Sequence, residues 1–316
     1  MVVGTNMAKK KKIMLLSDDL RMSSGVGTMS REFVVGTLDR YDWVQIGGAI
    51  KHPEQGNVVD ISESVSKDYG IKDAYLKIYP ISGYGNDEIL RSIMAIEKPD
   101  AILHYTDPRF WQWLYSMEHE LRQNIPIFYY NIWDNLPYPR WNEPFYESCD
   151  LIMNISRQTV NIVDNVCQKK PRTDWDNTYV PHGINHNVFM PIDALHKNHD
   201  KVKKYKQHAF GNKQYDFVVF WNNRNIRRKL PGDVVLAFKT FCDMLPKDES
   251  KKCALIMHTQ PIDDNGTDLP AVVKEMCPDY DVIFSNEKLD NNQMCWMYNI
   301  ADVTINIASN EGFGLG

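Results

Sequence analysis

The sequence predicts an α/β protein with two domains, and three observations carry that reading. Short apolar runs alternate with segments of helical period along the whole chain, the pattern of parallel sheets covered on both faces. At 316 residues the chain exceeds what one core of ordinary size accommodates. Between residues 193 and 213 it turns polar and lysine-rich, with almost no apolar periodicity, which predicts a boundary or hinge.

In the first half, strands are predicted at 13–17 (IMLLS), 43–50 (WVQIGGAI), 77–81 (KIYPI), 101–105 (AILHY), 125–132 (IPIFYYNI), 150–156 (DLIMNIS) and 178–183 (TYVPHG). The clearest helix spans 86–97. Asn86 suits its cap, Asp87 and Glu88 suit the positive end of its dipole, and Ile89, Ile93 and Ile96 are expected to line one face. The second series reads strand 216–221, helix 230–245, strand 253–258, helix 269–277, strand 281–285, helix 290–301 and strand 303–308 (VTINIA). A strand this apolar needs a covering crossover after it, so the second domain is expected to be incomplete at Gly316.

A net charge of -5 and a sequence pI of 6.0 argue against a general nucleic-acid binder. The lysines at 9–12 and 201–206 form local basic patches, compatible with no more than weak contact with a membrane surface. No run approaches the ~20 apolar residues that span a bilayer, and the first residues lack a secretory signal, so a cytoplasmic address is expected. Cys149, Cys167, Cys242, Cys253, Cys277 and Cys295 never fall at C-x-x-C spacing and are expected as buried thiols. Asn265-Gly266-Thr267 reads as a turn. P-loop, G-x-S-x-G and H-E-x-x-H patterns are absent, and the adjacent pairs Asp18-Asp19 and Asp263-Asp264 point to opposite faces, which argues against a metal.

Ligands of doubly wound sheets bind at the carboxyl ends of strands, so the segments after each strand are where binding groups are expected. After the first strand, Gly25 and Gly27 form a tight loop that opens a helix, suited to a phosphate or a hydroxylated acceptor. After strand 216–221 come Arg224, Arg227, Arg228 and Lys229, cations able to hold a diphosphate. After the last strand comes SNEGFGLG, where Glu311 is the only ionisable group and can accept bonds from two sugar hydroxyls, while nearby amides donate. Residues 105–146 hold Trp111, Trp113, Trp133 and Trp141 with Asp134, Tyr138 and Tyr146. Most of these belong to packing; Trp133 and Asp134, in a proline-rich loop after a strand, are retained as candidates. His104 and His182 end strands, where a lone histidine is more often simply hydrogen-bonded.

Taken together, SSGVG (23–27), KPDAILH (98–104), CDLIMNIS (149–156), VPHGINHNVFMP (180–191), NNRNIRRK (222–229) and ASNEGFGLG (308–316) occur in an order that resembles family 4 glycosyltransferases of the GT-B fold. The resemblance runs from about residue 12 to the end. It implies two facing Rossmann-like domains, residues 1–186 on the acceptor side and 187–316 binding the nucleotide sugar, the latter truncated. It further implies that Arg224 and Lys229 neutralise the donor diphosphate and that Glu311 holds donor-sugar hydroxyls. Asn310 and the amides of Gly312, Phe313 and Gly314 would cradle the donor, with His182, Gly183, Gly25 and Gly27 contributing to the same site. The implied reaction moves a hexose from a UDP- or GDP-linked donor to a hydroxyl of a glycan, lipid or protein, with retention, no cofactor and no obligatory metal. Three departures stand out. Many relatives carry a histidine at the end of the strand read here as IFYYNIWD, and either Asn131 or Asp134 takes its place. Asn185 stands where Asp is common, and the second Glu of the motif, eight positions after Glu311, falls beyond Gly316. The alternatives are a non-catalytic nucleotide-sugar-binding protein, a DNA-base glycosyltransferase, and an epimerase or phosphorylase on the same fold.

Overall fold

A computed structural model describes residues 9–49, 51–211 and 213–314. The chain divides into two compact units, one running to His182 and the other starting at Gly183.

Among the described residues the first unit holds an eight-stranded sheet in the order β3-β4-β2-β1-β5-β6-β7-β8. The strands are β1 (Lys11–Asp18), β2 (Tyr41–Gly48), β3 (Val59–Asp60), β4 (Leu76–Pro80), β5 (Ala101–Tyr105), β6 (Ile127–Asn131), β7 (Leu151–Asn154) and β8 (Asn177–Tyr179). All pairings are parallel except that of the edge strand β3 with β4. Side chains alternate between faces along a strand. Met14 and Leu16 of β1 therefore enter one core with Val44, Ile46 and Ile102, while Leu15 enters the other with Trp43 and Leu103. With both faces buried, β1 reads as an unbroken apolar run.

Helix Asp87–Glu97 starts as expected, with the Asn86 side chain accepting from the Ile89 amide at 3.0 Å. Its buried face differs from the predicted one: Leu90, Ile93 and Glu97 are buried, and Ile96 is 70% exposed. Glu97 takes the inward place because Lys12, Tyr75 and Tyr79 all donate to its carboxylate at 2.7 to 2.8 Å. The basic run at the start of β1 is likewise used internally. Lys10 donates to the Leu38 carbonyl, Lys11 pairs with Asp100, and Lys12 pairs with Glu97.

The second unit is smaller, with four parallel strands in the order β11-β10-β9-β12. These are β9 (Phe217–Asn222), β10 (Cys253–His258), β11 (Asp281–Ser285) and β12 (Val303–Thr304). Val219, Trp221, Leu255 and Met257 fill one core; Val218, Phe220, Ala254 and Ile256 fill the other. β12 stops four residues short of the predicted 303–308, because after the Ile305 amide reaches the Phe220 carbonyl the Asn306 side chain captures the Ala308 amide. The polar stretch 193–213 holds a helix, His199–Phe210, that buries Val202 and Phe210 in the second core and exposes Lys201, Lys203, Lys204 and Lys206. All six cysteines are buried free thiols. No helix among the described residues is long and apolar enough to cross a membrane.

Both sheets share one topological feature. The first strand of each unit lies between a neighbour reached in one direction and a neighbour reached in the other, giving switch points at β1/β5 and at β9/β12. Crevices open at the carboxyl ends of such strand pairs.

Candidate functional site

At the β9/β12 switch point, two loops are tied to each other. The Ser309 amide donates to the Arg228 carbonyl at 2.9 Å, and Arg228 Nη1 donates to the Asn310 carbonyl at 2.7 Å. Lys229 is buried, and its ammonium is ion-paired with Glu311 Oε1; Arg228 Nη1 approaches Glu311 Oε2 at 3.6 Å. Asn306 Nδ2 donates to Glu311 Oε1 at 3.4 Å. The sequence-selected Lys229, Asn310 and Glu311 thus converge, although β9 and β12 are some eighty residues apart. Gly314 has φ +75°, a conformation that favours glycine, and a Cβ there would lie 3.5 Å from the Glu311 side chain. Phe313 is 39% exposed.

Arg224 is held elsewhere. Its Nε donates to Asp263 Oδ2 at 3.0 Å in the loop after β10, and the guanidinium stays 63% exposed. The bond from Arg224 holds the Asp263 carboxyl below its usual range. Between these two cations sits a residue not singled out from the sequence. Asn225 is fully buried; its Nδ2 donates to the carbonyls of Gln260, Pro261 and Thr267, and its Oδ1 accepts from the Thr267 amide at 3.1 Å. A Cβ on Gly266 would lie 2.1 Å from the Asn225 carbonyl oxygen, so only glycine lets the two loops meet. Asn265-Gly266-Thr267 is the expected turn, closed by the Gly266 amide on the Asp263 carbonyl at 2.9 Å. The only sequence signal for this joint was the Asn-Gly pair itself.

In the first unit, Gly25 opens helix Gly25–Val35 and Ser24 caps it by accepting from the Gly27 amide at 3.0 Å. Gly27 is needed by the chain itself, since a Cβ would meet the Met22 and Asp19 carbonyl oxygens at 2.7 and 2.9 Å; Gly25 has open space. Buried Gln45 organises this loop from β2, donating to Ser17 Oγ and the Asp18 carbonyl and accepting from the Leu20 amide. Asp19 is buried against Arg21 and His52. Burial would raise its pKa, but Arg21 outweighs that and holds it down. Burial pushes the Asp18 carboxyl up, with Ser24 only partly opposing, and its Oδ1 has no hydrogen-bond partner among the described residues.

Asn131, one of the two residues left open for the missing histidine, is fully buried at the end of β6 and donates to Asn154 Oδ1; Asn154 donates to Asn177, which donates to Asp164. Asp134 lies in the loop beyond, where its carbonyl accepts from Gln158 at 3.5 Å. His104 is fully buried, bonded to the Tyr115 hydroxyl at 2.6 Å, and pushed down to about 3 by burial. His182 lies between the hydroxyls of Tyr130 and Tyr105 and is pushed down to about 4, again by burial. Both rings are neutral near pH 7. Gly183 has open space around its Cα. Trp111 is core; Trp133 is partly buried and carries the Arg109 guanidinium over its ring at 5.1 Å, and Trp141 is 56% exposed.

No protein-family model matches the chain, and no curated protein matches its sequence. Solved structures do match. An E. coli trehalose-6-phosphate structure bound with UDP-2-fluoro glucose superposes with TM-score 0.63 at 11% identity, over 96% of this chain and 79% of that one. An α,α-trehalose-phosphate synthase (UDP-forming) from Burkholderia vietnamiensis gives 0.61 at 11%, over 96% and 78%. The enzyme of the same description from Burkholderia xenovorans, in complex with glucose-6-phosphate, gives 0.63 at 9%, over 96% and 80%. These are GT-B glycosyltransferases, and the chain shares their fold: two Rossmann-like α/β units, the second smaller. At these identities the likeness is one of fold. The expected family 4 membership is not what these structures represent, since the neighbours are trehalose-phosphate synthases.

Proposed function

We propose that the protein is a nucleotide-sugar glycosyltransferase that moves a hexose from a UDP- or GDP-linked donor to an acceptor hydroxyl with retention of configuration. The observation that carries this is the convergence of Lys229, Arg228 and Glu311 at the β9/β12 switch point, with Arg224 in the same loop after β9, held by Asp263 of the loop after β10. The resemblance of the ordered sequence motifs to those of family 4 glycosyltransferases supports the same reading. In the reaction, the bond from the anomeric carbon to the diphosphate breaks and its electron pair leaves with the nucleoside diphosphate. The acceptor oxygen takes the anomeric carbon, and the acceptor proton departs with the leaving phosphate oxygen.

Lys229, Arg228 and Arg224 neutralise the charge that grows on the leaving group, where fixed cations stabilise the transition state most effectively. Glu311 holds donor hydroxyls, and Asn310 with the backbone at Gly312, Phe313 and Gly314 contributes polar contacts. Within the first unit, the Gly25–Gly27 loop, Asp134 and His182 are the further candidates for a substrate contact, and Gly183 is one in the second. Side-chain cations take the role a metal has in other transferases, so EDTA leaves the rate unchanged; a loss restored by Mg²⁺ contradicts this part.

The test is nucleoside diphosphate release from UDP-glucose and GDP-mannose by the full chain. Lys229→Ala is expected to lower kcat by about 100-fold or more, the scale seen when a charge-stabilising donor is removed. Near-normal turnover by Lys229→Ala and Arg224→Ala overturns the proposal, and donor binding without any release in the parent chain marks a binding protein instead.

A further inference from the structure

The two lysine runs of the chain have opposite fates. Lys10, Lys11 and Lys12 are consumed inside the first unit, by the Leu38 carbonyl, Asp100 and Glu97. Those of helix His199–Phe210 in the second unit are not. Lys201, Lys203, Lys204 and Lys206 are all exposed, and none of them forms a hydrogen bond or an ion pair among the described residues. Lys197, just ahead of the helix, is in the same position, whereas Lys213 beyond it pairs with Asp281. Asp200 is the only acid in the helix.

Packing holds the charges outward. Val202 and Phe210 are buried, and Tyr205 and Ala209 pack against the same core, with Tyr205 edge-on to Trp296 at 5.8 Å. Lys201 and Lys204 are three residues apart, as are Lys203 and Lys206, so each pair is adjacent on the helix surface. Like charges placed in this way disfavour a helix, and an external anionic surface relieves the repulsion. The net charge of -5 does not oppose this, because at physiological ionic strength charges are screened beyond about 8 Å.

The kind of anion follows from what accompanies the lysines. Residues 193–213 contain no arginine, the side chain whose planar fork reads individual phosphates. Both aromatic rings of the helix, Tyr205 and Phe210, are packed against the core, so no base stacks on them. Leu195, four residues ahead of the helix, is 95% exposed, an apolar group that a lipid interface accommodates.

We propose that helix His199–Phe210 docks the protein on an anionic lipid surface, with Lys197, Lys201, Lys203, Lys204 and Lys206 over the headgroups and Leu195 entering the interface. The contact is peripheral and reversible, since each lysine near such a surface is worth about a fivefold gain in partitioning. It does not depend on the transferase reading above.

The experiment is cosedimentation of the full chain with vesicles of phosphatidylserine and phosphatidylcholine, compared with phosphatidylcholine alone. The parent binds the mixed vesicles, does not bind the neutral ones, and is released as salt rises. Combined Lys201→Gln, Lys203→Gln, Lys204→Gln and Lys206→Gln lowers the partition coefficient about tenfold or more, and Leu195→Ser lowers it about twofold or more. A control with the same change of charge elsewhere, Lys67→Gln, Lys72→Gln, Lys247→Gln and Lys251→Gln, keeps the parent's binding; all eight lysines are exposed, so neither set disturbs a core. Absence of binding to the mixed vesicles overturns the inference. So does binding indifferent to the four helix substitutions or to Leu195→Ser, and so does an equal loss in the control, which makes the attraction one of net charge. A chain that binds a labelled single-stranded oligonucleotide but no vesicle carries a nucleic-acid surface instead, and equally overturns it.

Discussion

Lys229 and Glu311 form an ion pair that joins the loop after β9 to the loop after β12 at the switch point of the second unit. The ammonium is buried, so its charge is in place before any donor arrives, and Glu311 is the group a diphosphate has to compete with. Removing that competitor separates binding from catalysis. Glu311→Gln is expected to bind free UDP or GDP several-fold more tightly, because the carboxylate charge that competes with the phosphates for Lys229 and Arg228 is removed, while sugar transfer falls. Calorimetric titration with the diphosphates checks it; weaker binding by the variant means that Glu311 positions Lys229 rather than competing for it.

Arg224 stands in a different electrostatic position. Its pair with Asp263 is exposed, and exposed pairs contribute about 0–1 kcal/mol, so the guanidinium exchanges a carboxylate for a phosphate at little cost. A planar fork binds two phosphate oxygens where an ammonium binds as a point charge. Arg224→Lys is therefore expected to raise the donor KM several-fold with a smaller effect on kcat, whereas Lys229→Ala acts mainly on kcat. Steady-state kinetics on the two variants decide, and a kcat loss in Arg224→Lys equal to that of Lys229→Ala removes the distinction.

The joint beneath both cations predicts a stability effect. A methyl group on Gly266 would sit 2.1 Å from the Asn225 carbonyl oxygen and 2.4 Å from its Oδ1, so backbone has to move. Overpacking of this kind costs about 1–3 kcal/mol. Asn225 is fully buried with four bonds to the neighbouring loop, so the cost spreads to Arg224 on one side and Lys229 on the other. Gly266→Ala should lower the unfolding midpoint of the second unit and weaken donor binding together. Unchanged urea denaturation and donor affinity would mean that the loop simply relaxes.

What the sequence disclosed and withheld follows from where the partners lie. β1, β5 and β10 are buried on both faces, so their apolar runs stand out by themselves. Lys229 and Glu311 were singled out because strand ends define where ligands bind, a rule needing no side-chain contacts, whereas their ion pair across some eighty residues was not legible. Glu97 was missed because its burial depends on Lys12, Tyr75 and Tyr79, which lie on other strands. Helix His199–Phe210 was hidden by lysines on its exposed side, with only Val202 and Phe210 buried. Asn225 and Gln45 were invisible for a related reason: each serves backbone groups that are distant in sequence, and a lone amide carries no local signature.

His104 yields a prediction about acid stability. Its ring stacks on Tyr129 at 5.1 Å and 13°, bonds the Tyr115 hydroxyl through Nδ1, and has no partner at Nε2 among the described residues. Burial pushes its pKa from 6.5 down to about 3, so the folded state holds it neutral while the unfolded state takes up a proton. The unfolded chain thus binds more protons between pH 6.5 and about 3, and stability present above pH 6.5 is lost as the pH falls through that window. Each pKa unit corresponds to about 1.4 kcal/mol, so lowering the pH to roughly 5 costs about 2 kcal/mol through this ring alone. His182, pushed down to about 4, acts with the same sign. His104→Phe keeps a flat ring against Tyr129 and removes the titration; its lost bond to Tyr115 lowers stability at every pH and cancels in the comparison. Hydrogen exchange at the amides of β1 and β5, corrected for intrinsic rates at pH 7.5 and 5, should show a drop in protection smaller in the variant by about 2 kcal/mol. An identical drop in both proteins would overturn the assignment to His104; Glu97 cannot account for it, because the bonds from Lys12, Tyr79 and Tyr75 overcome burial and hold its carboxyl below its ordinary value, so that its contribution is lost only below about pH 4.5, outside the window measured.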